Sequence, residues 1–142
     1  MMKRRDLLLV PAAALSVMIA NVALSFFMVW AYSAFISPGQ PLSYYQNFAE
    51  TAAPIGSVVT GIPLMLLAGF LLARGRQRRA ALLAAGAAAL LYILLDLAIL
   101  LGAHASGSVW GWAALSHATK LLAALAGAAL RTVVGAALGA AR

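Results

Sequence analysis

Residues 90–101 read Leu-Leu-Tyr-Ile-Leu-Leu-Asp-Leu-Ala-Ile-Leu-Leu. Asp96 stands alone there, with only Tyr92 as a near polar companion. A carboxylate in such a run costs roughly 2.5–3.5 kcal/mol on membrane-insertion scales, so it needs a partner. The next apolar run offers two bases, His117 and Lys120. The rest of the chain reads as scaffold around that cluster, and the object is a small multispanning membrane protein.

Composition supports this reading. Of 142 residues, 65% are hydrophobic and 9% charged. A soluble domain carries about 25% charged residues to coat its surface. The length suits one domain, residues 1–142. There is no cysteine, which removes disulfides, thiolate metal sites and thiol nucleophiles. The net charge of +7 raises nucleic acid as a partner. Its placement argues against that, because the cations sit at the ends of apolar runs, as the positive-inside pattern requires.

Four apolar runs follow in order. The first, 7–36, follows a cationic lead of Lys3, Arg4 and Arg5, and its length argues against a cleaved signal peptide. Asn21, Ser25 and Tyr32 share one of its faces, the pattern of an interhelical polar seam. Residues 37–54 form an outer loop. Ser-Pro-Gly-Gln-Pro is turn chemistry, and Ser43-x-x-Gln46 fits a capping box opening a short amphipathic helix with Tyr44, Tyr45 and Phe48 at headgroup level. Glu50 reads as a solvated charge. Pro54 suits the first turn of the second span, 55–73, and Pro63 is expected to bend that span.

The turn 74–79 carries Arg74, Arg76, Arg78 and Arg79, expected to contact lipid headgroups. The third span, 80–102, holds Tyr92 and Asp96. A short loop beginning at His104 leads to the fourth span, 109–140, with Trp110 and Trp112 as interfacial anchors. Gly135-x-x-x-Gly139 fits a small-residue packing pattern, diluted by Ala and Gly throughout the segment. Both termini and the middle turn carry eight of the ten Lys and Arg, Lys120 and Arg131 lie within the fourth span, and the outer loops carry none. Both termini are therefore expected in the cytoplasm. Arg and Ala usage suggests a cell inner membrane.

Helical rise places Asp96 roughly 9 Å, His117 roughly 12 Å and Lys120 roughly 16 Å beneath the outer boundary. Side chains on the fourth span lean outward, which brings Lys120 toward Asp96. Asp96, His117, Lys120 and Tyr92 are therefore the candidate ligand or proton site. The competing reading is a structural bridge between adjacent helices. No spacing fits zinc, and His104 and His117 lie on different elements, which disfavours haem. No metal or cofactor is implied. No Gly-rich phosphate loop, nucleophile elbow or carboxylate pair is present, so no catalytic residue is assigned and a non-enzymatic protein is expected.

The expected fold is an all-α integral membrane protein, a four-transmembrane-helix bundle with an amphipathic helix in the first outer loop. The leading functional reading is an accessory or structural subunit that associates through Ala/Gly-rich helices with itself or with a larger membrane complex. The alternative is a small transporter or ligand-binding protein using Asp96, His117 and Lys120.

Overall fold

Leu, Ala and Val runs of this length become helices in hydrocarbon because only a helix satisfies every backbone group within one segment. The structure, a computed structural model, describes residues 4–103 and 107–140. It contains α1 (Arg4–Ala31), a π-helical turn (Tyr32–Ile36), α2 (Leu42–Leu72), α3 (Arg78–Gly102) and α4 (Gly107–Ala140). Among the described residues, four stretches are long and apolar enough to cross a membrane: Leu8–Ile36, Leu42–Leu72, Arg78–Gly102 and Val109–Leu138. The protein is an all-α bundle of four such helices. The loop expected to begin at His104 lies outside the described residues through Ser106, as does Lys3.

The amphipathic segment is helical, but it is continuous with the second span. α2 runs unbroken through Pro54 and Pro63 over 31 residues. That is about 46 Å at helical rise, so α2 exceeds a hydrocarbon core of about 30 Å and must tilt or protrude. A proline removes one backbone bond, whereas ending the helix at Pro54 would expose a whole turn of unpaired groups. The capping box does not form. Pro41, extended at ψ 155°, is the cap residue, and no side chain caps the helix. Ser43 lies inside the first turn, which closes through Tyr44 N–H to the Pro41 carbonyl at 3.0 Å.

Aromatic side chains fasten the α1–α2 reversal. Tyr32 stacks on Phe48 with centroids 3.7 Å apart, and its hydroxyl lies 3.0 Å from that of Tyr44. Tyr45 donates to the Ser37 carbonyl at 2.7 Å. The reversal itself requires the positive φ of Gly39 (78°), and the Arg-rich turn that of Gly75 (70°).

α1 and α4 lie on opposite sides of the bundle, each packed against α2 and α3. The closest crossing is α2 on α4. A Cβ on Gly69 would strike the Ala124 carbonyl, and one on Gly127 the Leu66 carbonyl. Backbone approach of this kind gains dispersion contacts, which drive helix association where no hydrophobic effect operates. Gly135 instead faces open space. The interior on the arginine side is made of small side chains, including Ala81, Ala85, Ala89, Ala124 and Ala128 around Met65. Leu, Ile, Val and Phe cover the outside, as a lipid-facing surface demands.

Candidate ligand-binding site

The buried polar residues among those described are Asn21, Ser116, His117 and Lys120. All lie in the half of the bundle toward the α1–α2 reversal, away from the arginines. They form two layers one helical turn apart. Antiparallel packing of α3 on α4 sets the register: Tyr92 meets Lys120, and Asp96 meets His117.

The deeper layer centres on Lys120, which is 0% exposed. Its stem runs through the space left by Gly61, where a Cβ would meet Lys120 Cε. An ammonium has three protons, and Nζ finds three hydroxyl acceptors: Ser57 at 2.8 Å, Tyr92 at 2.9 Å and Ser116 at 2.8 Å. From the other side of the bundle, Asn21 Nδ2 donates to the same Ser57 and Tyr92 hydroxyls, each at 3.0 Å. Thr60 donates to Asn21 Oδ1 at 2.7 Å and is also 2.8 Å from the Gly56 carbonyl. Thus α1 and α4, which scarcely touch, are joined through two shared hydroxyls on α2 and α3. No buried side-chain nitrogen or oxygen among the described residues lacks a partner.

The upper layer is the pair His117 Nε2–Asp96 Oδ2 at 2.8 Å. Of the two bases offered by the sequence, His117 contacts the carboxylate, while Lys120 turns to hydroxyls. The reason is reach: Lys120 lies one turn deeper, level with Tyr92, and the gap at Gly61 accepts its stem. Asp96 keeps 29% of its side chain exposed, His117 10%.

Above these layers opens a cavity of about 450 Å³. Its floor includes Asn21, Ser57 and Ser116, its walls Phe26 and Trp112, and both Asp96 and Glu50 line it. Lys120 and His117 do not. Ser25, which bonds its own helix at the Asn21 carbonyl, also lines it. The expected seam of Asn21, Ser25 and Tyr32 therefore divides three ways: network, cavity wall and aromatic clasp.

No protein-family model, curated protein or solved structure matches the chain. Among the described residues no three His, Asp or Glu side chains gather as a metal set. Toward the arginine end the buried interior turns to Ala, Val, Met and Leu, with Gly69 and Gly127 closing α2 on α4. The polar path stops at Lys120.

A second cavity, about 570 Å³, lies at the arginine end, lined by Arg76, Gln77, Arg78, Arg131 and Thr132 among others. Arg131 is held 5.1 Å over the Phe70 ring. Arg74 and Arg79 are exposed outside it. Sequence reasoning named the four turn arginines and missed Arg131, which α4 brings alongside. It also missed Ser57, Thr60 and Gly61, whose spacing of three and four along one helical face was the available signal.

Proposed function

We propose that this small membrane protein binds an amphiphilic ligand in the cavity at the reversal end of the bundle. The observation behind it is a cavity with apolar, aromatic walls over a floor of converging polar groups, the usual make-up of a small-molecule site. Intramembrane ionisable residues carry the same implication. The apolar, glycine-closed half below Lys120 favours binding over conduction in this conformation. With the termini and the Arg-rich turn in the cytoplasm, the cavity faces the outer side of an inner membrane.

The chain has no cysteine, so a single Ser25→Cys gives a clean handle. A panel of amphiphiles is screened for thermal stabilisation of the detergent-solubilised variant, before and after coupling a bulky maleimide. Stabilisation by some amphiphile, lost on coupling, is the expected result. The reading fails if no amphiphile stabilises the protein, or if coupling leaves the stabilisation intact.

A second reading is an accessory subunit, associating with itself or with a larger membrane complex. Gly111, Ala114, Ala118 and Leu122 follow one exposed face of α4, and Gly111 has open space outside it. Such a face suits helix association. Mass measurement in mild detergent distinguishes a lone chain from an oligomer or a mixed complex.

A further inference from the structure

We propose that the ligand of this cavity is a lipophilic monocation, held with its positive charge beside Asp96. This rests on the ligand-binding reading above and gives it a chemical class.

The charges lining the cavity are both carboxylates, Asp96 and Glu50. They are not equivalent. Glu50 is exposed on the rim, where water and salt screen it. Asp96 is only 29% exposed and set among Leu and Ala, so its field reaches a bound ion with less attenuation. Trp112 and Phe26 also line the cavity, and aromatic side chains there suit both a cation and an apolar body. The nearest fixed cation, Lys120, lies one turn further in, with its three protons directed at Ser57, Tyr92 and Ser116. An anion in the cavity would meet two carboxylates before it reached that ammonium. A cation meets them first.

His117 shares this carboxylate with the ligand. Its Nε2 already touches Asp96 Oδ2 at 2.8 Å, so the imidazole holds one carboxylate oxygen in place beside the cavity. α1 contributes only the uncharged Asn21 and Ser25 here.

The test uses benzyltrimethylammonium and its uncharged carbon isostere, 2,2-dimethylpropylbenzene. Binding is counted as the part abolished by blocking Ser25→Cys, which removes partition into detergent from the comparison. The cation should bind at least tenfold more tightly than the isostere at neutral pH. Asp96→Asn should erase that preference while leaving isostere binding intact, which also shows that the variant is folded. Equal binding of the two probes overturns the monocation and leaves the cavity standing. Binding of neither probe overturns both readings.

Discussion

The stem of Lys120 on α4 occupies the space that Gly61 on α2 leaves by having no side chain. Lysine at one position and glycine at the other are one structural decision. Gly61→Ala should therefore cost roughly 1–3 kcal/mol, the usual range for overpacking. In a Lys120→Ala background the same change should cost much less, because the colliding stem is gone. Thermal unfolding of the four proteins in detergent checks this. Additive losses would mean that the two residues do not share a space.

The α2–α4 crossing makes a prediction that inverts the sequence pattern. Gly69→Ala and Gly127→Ala place a methyl against a backbone carbonyl that cannot turn aside, and should lower the melting temperature markedly. Gly135→Ala meets nothing, and should be neutral or stabilising by up to about 1 kcal/mol through helix propensity. Equal responses at the three sites would contradict the crossing.

Removing a charge should be gentler than removing its acceptor. Lys120→Met leaves Ser57 and Tyr92 bonded to Asn21, and replacing a buried ion by an apolar side chain is often close to neutral. Tyr92→Phe takes one acceptor from a buried ammonium and a partner from Asn21, which should cost about 1–3 kcal/mol. Denaturation curves with Tyr92→Phe the milder change would show that Lys120 is not held as described.

Water should reach the cavity but not the core beneath it. Ser25→Cys should react with a water-soluble maleimide in the folded protein, while Ala89→Cys, at a site 0% exposed, should react only after unfolding. Matching rates at the two positions would show either that the cavity is closed or that the core is open.

Much of the fold was legible in the chain because hydrocarbon leaves the backbone so few choices. Four apolar runs bounded by Pro-Gly and Arg-Gly turns, in a chain with 9% charged residues, lead to four helices. A partner for Asp96 was also expected from the cost of an isolated carboxylate. Two local signals misled. Pro54 and the Ser43–Gln46 spacing suggest a separate interfacial helix, yet both lie within α2. Local preferences of about 1 kcal/mol for a cap, or a few for a proline, yield to the backbone bonds that a continuous helix keeps.

Apolar runs and turn residues already state how many rods there are, where they turn, and that an acid and two bases lie within them. Helix packing assigned the carboxylate to His117, three hydroxyls from three helices to Lys120, and the close approach to Gly61, Gly69 and Gly127 rather than Gly135. Apolar periodicity records whether a residue can sit in hydrocarbon. It does not record the relative rotation and offset of neighbouring helices, and a shift of one turn exchanges every partner in a polar layer.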